Sequence, residues 1–129
     1  FDIAHNGYTI LYAPDVIVYH HRRDTFRGHL QQLYIYGRDV ATLTKKEFSF
    51  NKLYYVLPTV GLIGLVLGIL FSFFSFYVRV IFPLIVFFYL IIILFTSIHD
   101  DLRTTLQVWA TSISSHFAYG WGWIWGMIG

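Results

Sequence analysis

The feature that most constrains this chain is an apolar stretch from Leu53 to Ile98, in which Arg79 is the only charged residue. One helix needs about 20 apolar residues to cross the hydrocarbon core of a bilayer. The stretch therefore predicts two membrane-spanning helices, at about 53–76 and 80–98. We expect Arg79 to lie near the turn between them and to extend its long side chain towards the lipid headgroups.

The composition agrees with a membrane protein. The chain is 57% hydrophobic and only 12% charged, whereas soluble domains carry about 25% charged residues. A formal net charge of +2 is too small to indicate a nucleic-acid partner. The absence of cysteine excludes disulfides and thiolate metal sites.

A third span is predicted at about 106–129, after the polar segment "HDDLR". It ends in "YGWGWIWG", which is typical of the aromatic belt at a membrane interface. Seven of the nine Lys and Arg residues precede Leu53. Positive charges favour the cytoplasmic side, so we expect the N-terminal part to be cytoplasmic and the protein to be multi-pass.

Residues 1–23 have the character of a soluble domain. Gly7 is a candidate for the left-handed residue that ends a helix, and "YTILYAPDVIVYH" predicts strands at 8–12 and 16–19 joined by a turn at Pro14 and Asp15. Two strands need a larger sheet, and the chain starts with Phe1. We therefore expect a missing upstream portion, and an α/β remnant as the first part of the fold.

Residues 24–52 predict an amphipathic helix followed by a linker, with Asp24 as the N-terminal cap. Apolar residues recur at near-helical spacing and polar residues occupy the other faces. A basic helix that contains tyrosine and precedes a span suits the membrane interface. The alternative is a surface helix of the missing soluble domain. The predicted fold is thus an α/β remnant, an interfacial helix and a mainly α transmembrane region of about three helices.

Three features of the membrane part have a functional and a structural interpretation. "GLVLG" at 64–68 has the small-xxx-small spacing of close helix packing, or reflects ordinary glycine frequency. His116 is either a functional ionisable group within a span or an imidazole hydrogen-bonded to a neighbouring helix. "HDD" at 99–101 resembles a metal cluster, but its place beside a predicted loop, with Arg103 nearby, favours solvated loop charges.

The densest group of titratable side chains is in "VIVYHHRR" at 16–23. His20 ends the predicted second strand, and Arg22 and Arg23 follow it. Imidazole can join carboxylates around a divalent cation, and guanidinium groups bind phosphates bidentately. The cluster is therefore either the rim of a site for an anionic ligand or a basic collar that orients a membrane protein.

Residues 7–43, "GYTILYAPDVIVYHHRRDTFRGHLQQLYIYGRDVATL", resemble the C-terminal end of the catalytic domain in membrane-bound family 2 glycosyltransferases, which is of the GT-A type. The late "HFAYGWGWIWG" is similar to the His-x-x-Tyr-Gly-x-Gly segment in members of the succinoglycan-type exopolysaccharide subgroup. The resemblance implies an inverting transferase in the bacterial inner membrane. Its implied partners are a nucleotide-sugar donor, a polyprenyl-diphosphate-linked glycan acceptor and membrane lipids.

The resemblance also implies roles for individual residues. His20 matches a histidine that contacts the divalent metal, Mg²⁺ or Mn²⁺, at the donor diphosphate. Arg22 and Arg23 match basic residues that face the donor diphosphate or the acceptor phosphate. Four residues lie on the interfacial helix that presents the acceptor: Gln31, Gln32, Tyr34 and Arg38.

The chain departs from the Gln-x-x-Arg-Trp motif of processive synthases, because Tyr34 and Ile35 stand where Arg and Trp are expected. This favours addition of a single sugar. The metal-binding Asp-x-Asp motif and the catalytic base are expected upstream of Phe1, so the chain alone is predicted to be inactive. The rival interpretation is a small, non-enzymatic, three-span membrane protein whose basic collar sets topology or binds anionic lipid. A transporter fragment is a third possibility.

Overall fold

The computed structural model describes residues 6–9, 11, 14–17, 19, 25–46 and 50–129, apart from the side chains of 51 and 52. Four α-helices form the described part of the chain. They are α1 (Phe26–Lys46), α2 (Leu57–Ser72), α3 (Phe76–Thr96) and α4 (Leu102–Ile128), and a 3₁₀ helix (Phe50–Val56) leads into α2.

The expectation of an α/β remnant is wrong, because the described residues contain no strand. The predicted turn is present at Pro14 and Asp15, and the flanking residues that the structure describes are not in strands. Tyr8, Leu11 and Val16 are each more than 60% exposed. A β-strand needs a neighbour for its N–H and C=O groups, and none lies beside the described positions of the predicted strands.

Gly7 has a φ of +80°, the left-handed conformation for which glycine is favoured. Residues 1–5, which were predicted to form the end of a helix, lie outside the described residues. Asp24, the predicted cap of α1, also lies outside them. Thr25 makes a capping interaction, since its Oγ1 accepts a hydrogen bond from the Gly28 N–H at 3.1 Å.

Two helical segments are long and apolar enough to cross a membrane, Leu53–Ser72 and Phe76–Thr96. Only 6% of the most apolar part of each is buried. Among the described residues, Ala41 and Ile93 are the only buried apolar side chains. A soluble protein would hide helices of this kind in a core. Helix α4 is not among the segments that meet this criterion.

Helices α2 and α3 form an antiparallel hairpin through the turn at 73–75. Arg79, in the first turn of α3, donates hydrogen bonds to the carbonyls of Ser72 (3.0 Å) and Phe73 (3.4 Å) at the end of α2. These carbonyls have no partner within their own helix. The one cation between the two spans therefore satisfies backbone acceptors at the turn, rather than only reaching outward as predicted.

Helices α3 and α4 also contact each other. The indole N–H of Trp109 donates to the carbonyl of Leu90 at 3.0 Å. The segment between the helices caps the N-terminus of α4, because Asp101 accepts a hydrogen bond from the Thr104 N–H at 2.8 Å.

Candidate functional site

Helices α1 and α4 make the most extensive contact in the described part of the chain. They run parallel, since His29 lies beside Ser115, Tyr34 beside Gly122 and Ala41 beside Gly126. Helix α1 is therefore attached along α4 and is not a separate element.

Four small residues allow this approach, and we call them the glycine seam: Gly37, Ala41, Gly122 and Gly126. A β-carbon at Gly37 would collide with the Tyr119 carbonyl oxygen, and one at Gly122 with that of Tyr34. At Gly126 it would collide with the Arg38 carbonyl oxygen. Each helix thus contributes two small residues at i and i+4, the spacing that lets helix backbones approach closely.

The glycine motif that the sequence singled out in the first span has a different environment. A β-carbon at Gly68 would meet the ring of Phe82 in α3, whereas at Gly61 and Gly64 it would have no neighbouring atom within 4 Å. Spacing alone did not distinguish this motif from the glycine seam, because both have small residues four apart.

An open groove of about 360 Å³ lies on the N-terminal side of the glycine seam, between the first turn of α1 and the N-terminal half of α4. We call it the polar groove. Val108 and six polar residues line it: His29, Gln107, Thr111, Ser112, Ser115 and His116.

His29 links the two helices across this groove. Its Nε2 lies 3.1 Å from the Oγ of Ser115, and that hydroxyl donates its only proton to the carbonyl of Thr111 at 2.7 Å. Ser115 Oγ must therefore accept from His29, so the proton of the neutral ring is on Nε2. This leaves Nδ1 as an acceptor.

His116 joins the groove to α3. Its Nδ1 lies 2.8 Å from the phenol oxygen of Tyr89, and the rings are 6.1 Å apart. The prediction that His116 bonds to a neighbouring helix is confirmed. Residues 115 and 116 thus connect α4 to α1 and to α3 respectively.

The "HDD" segment has a structural role. His99 Nδ1 donates to the Ser97 carbonyl at 2.8 Å, and the His99 N–H donates to Thr105 Oγ1 at 3.0 Å. Hydrogen bonds from Thr104, from its side chain first and then its backbone, lower the pKa of Asp101. No group of three potential metal ligands occurs within the described residues.

The predicted site residues fall into two sets. His20, Arg22 and Arg23 lie outside the described residues. Gln31, Gln32, Tyr34 and Arg38 are on α1, but they do not converge. Gln31 is exposed, Gln32 Nε2 donates to the Tyr36 hydroxyl at 2.6 Å, and Arg38 pairs with Asp39 on the surface at 3.3 Å. The Tyr34 backbone takes part in the glycine seam.

The sequence interpretation did not select His29, Gln107, Thr111, Ser112 or Ser115. The available signal was the run of hydroxyl residues "TSISS" at 111–115 immediately before His116, which is unusual for a predicted span. Nothing in the sequence indicated that His29 faces this run.

Comparison with protein-family models, with curated proteins and with solved structures finds no match to this chain.

Proposed function

We propose that the chain is the membrane-embedded, acceptor-side part of an inverting glycosyltransferase of the bacterial inner membrane. The protein transfers a sugar from a nucleotide donor to a polyprenyl-diphosphate-linked glycan on the cytoplasmic side. Such a reaction serves the assembly of exopolysaccharides or other surface glycans. The catalytic base and the paired aspartates are proposed to lie upstream of Phe1.

One observation carries the proposal. The two segments on which the glycosyltransferase resemblance depends are far apart in the sequence, yet they contact each other directly. Gly37, from "YGR" in α1, lies against Tyr119, and Tyr34 lies against Gly122. Tyr119 and Gly122 belong to the His-x-x-Tyr-Gly-x-Gly segment. This contact supports a single unit made from both motifs.

The surroundings of this unit suit a lipid-linked acceptor. Two exposed apolar helices, α2 and α3, adjoin it, and the polar groove opens between α1 and α4. Helix α1 carries cations at its ends, Arg27 and the pair Lys45 and Lys46, which suits contact with anionic headgroups. A polar head and an apolar tail can thus both be accommodated.

His20 is proposed to help hold a divalent metal, Mg²⁺ or Mn²⁺, that neutralises charge on the leaving diphosphate. Arg22 and Arg23 are proposed to face the donor diphosphate or the acceptor phosphate. Gln31, Gln32, Tyr34 and Arg38 are proposed to contact the acceptor individually, since they lie on different faces of α1.

The test is a transfer assay on the complete protein, with its upstream sequence, in nanodiscs of bacterial lipid. Radiolabelled nucleotide sugars are supplied with Mg²⁺ or Mn²⁺ and a polyprenyl-diphosphate glycan, and label is counted in the lipid phase. We expect metal-dependent transfer that falls about a hundredfold in His20→Ala, the typical cost of losing one transition-state contact. The matched control is His21→Ala.

A correctly inserted protein that transfers no sugar from any donor contradicts the proposal and favours the non-enzymatic interpretation. Undiminished transfer by His20→Ala with unchanged metal dependence contradicts the role of His20 alone. The chain without its upstream sequence is expected to be inactive, and transfer by it would show that the base lies within these residues.

A further inference from the structure

Thr111 and Ser112 differ from the neighbouring hydroxyl residues of α4. Ser114 and Ser115 donate to the carbonyls four residues earlier, at 2.8 and 2.7 Å, which is the usual arrangement for serine within a helix. Within the described part of the chain, Thr111 and Ser112 make no such bond, and both line the polar groove. Their hydroxyls are available to a ligand.

The other polar side chains of the groove also have unused hydrogen-bonding capacity. His29 uses Nε2 on Ser115, and His116 uses Nδ1 on Tyr89, so each ring has a second nitrogen without a partner among the described residues. Gln107 adds an amide with both donors and an acceptor. Five side chains from two helices thus offer donors and acceptors to one groove.

The charge of the groove selects the class of ligand. None of its lining residues is Asp, Glu, Lys or Arg. Phosphate sites in proteins are built from arginine, lysine or the backbone N–H groups of helix N-termini. The groove has no arginine or lysine, and the first turn of α1 contributes only the side chain of His29 to its lining. A sugar ring has several hydroxyls, each of which both donates and accepts. The groove thus combines neutral donors and acceptors with an exposed surface that is mostly carbon. This suits a sugar, whose ring has hydroxyls at its edge and C–H groups on its faces, better than a phosphate.

We propose that the polar groove binds a neutral sugar ring of the glycan acceptor, an assignment that rests on the proposed function. The groove volume of about 360 Å³ is at the lower end of the range of about 300–1,000 Å³ for ligand pockets. Thr111, Ser112 and Gln107 bond the sugar hydroxyls, and the free nitrogens of His29 and His116 orient the ring.

A lipid-borne sugar is favoured over a free one because Tyr89 brings an exposed apolar helix to the groove. Helix α3 is one of the two segments long enough to cross a membrane, and its Tyr89 hydroxyl bonds directly to a groove residue. The apolar tail of a glycolipid therefore has a surface beside the place where its head binds.

The test measures binding and needs no catalysis. The complete protein in nanodiscs is irradiated with an alkyl β-glucoside that carries a diazirine in its chain, and labelled peptides are identified by mass spectrometry. We expect labelling of peptides from α4 and from α3 around Tyr89. An excess of unlabelled alkyl glucoside should abolish it, and an alkyl phosphate of the same chain length should not.

The variant Thr111→Val with Ser112→Ala removes both free hydroxyls and keeps the helix. Two hydrogen bonds of ordinary strength correspond to about a thirtyfold loss, so labelling should fall about thirtyfold. Ser114→Ala is the matched control, because its hydroxyl already bonds to Ala110, and it should label normally. If methyl β-glucoside also prevents labelling, the groove recognises the sugar ring alone. If only the alkyl glucoside prevents labelling, the groove recognises a lipid-borne sugar.

Equal competition by the alkyl phosphate, or unchanged labelling of the double variant, would overturn the proposal. The competition series uses the unmodified protein, so it decides the question even if the double variant does not fold. Sugar transfer by a protein whose groove is not labelled contradicts the sugar site and leaves the proposed function in place. Groove labelling without transfer from any donor contradicts the proposed function and leaves the sugar site in place.

Discussion

Gly37 of α1 lies so close to the backbone carbonyl of Tyr119 in α4 that a β-carbon at position 37 would collide with that oxygen. The obstacle is backbone, which cannot move aside as a flexible side chain can. Only glycine therefore fits at position 37. The contact joins two residues more than eighty positions apart in the sequence.

Gly37→Ala should weaken the attachment of α1 to α4. Overpacking of this kind costs about 1–3 kcal/mol, so we expect a lower midpoint in equilibrium unfolding with SDS, followed by tryptophan fluorescence. Gly61→Ala is the matched control, because nothing lies within 4 Å of a β-carbon there, and alanine favours the helix. Equal effects of the two substitutions would contradict close packing at Gly37.

The hydrogen bond between Tyr89 and His116 should couple α3 to α4. In a double-mutant cycle of Tyr89→Phe and His116→Ala, we expect an interaction energy of about 0.5–1.5 kcal/mol. The measurement is the free energy of unfolding of both single variants and the double variant in mixed micelles. Tyr77→Phe should have no such coupling to His116, because the Tyr77 ring packs against its neighbour Phe76 in α3. Additive effects of Tyr89→Phe and His116→Ala would show that the bond is not formed.

Asp101 should make stability fall at acid pH. Its folded-state pKa is lowered by the hydrogen bonds from Thr104, so its contribution is fully present above the unfolded-state pKa of about 3.9. The contribution is lost as the pH falls through the folded-state value. The melting temperature between pH 7 and pH 3 should therefore decline less in Asp101→Asn, which keeps a capping side chain. Asp100→Asn should retain the decline of the parent protein, and a parallel decline in Asp101→Asn would disprove the assignment.

Arg79 should protect the turn between α2 and α3. In Arg79→Leu, the carbonyls of Ser72 and Phe73 lose their donors, and a cation at a helix C-terminus contributes about 0.3–1 kcal/mol. Hydrogen exchange of the Phe73, Phe74 and Ser75 amides should become several-fold faster, as these amides donate to the last carbonyls of α2. Arg103→Leu, in the first turn of α4, should leave their exchange unchanged. If these amides exchange equally slowly in Arg79→Leu, Arg79 does not stabilise the turn and contacts lipid headgroups instead.

Local structure was largely readable from the sequence. The apolar stretch predicted two helices of spanning length, the pattern after Asp24 predicted the helix α1, and Pro14 and Asp15 predicted a turn. These features follow from residues close together in the chain: hydropathy over about 20 positions, helical periodicity, and the φ preferences of proline and glycine. The strands were predicted wrongly because a β-rich run becomes a strand only when another strand pairs with it.

Only the tertiary structure determined which helix faces which. Hydropathy shows how apolar a helix is. The glycine seam consists of three glycines and one alanine and brings backbone against backbone, so no apolar pattern in the sequence marks it. The polar groove arises in the same way, because His29 meets Ser115 only once α1 lies parallel to α4. The sequence alone determined the kind of helices and their order. Their pairing, and with it the groove, required the close approach that glycine permits at Gly37, Gly122 and Gly126.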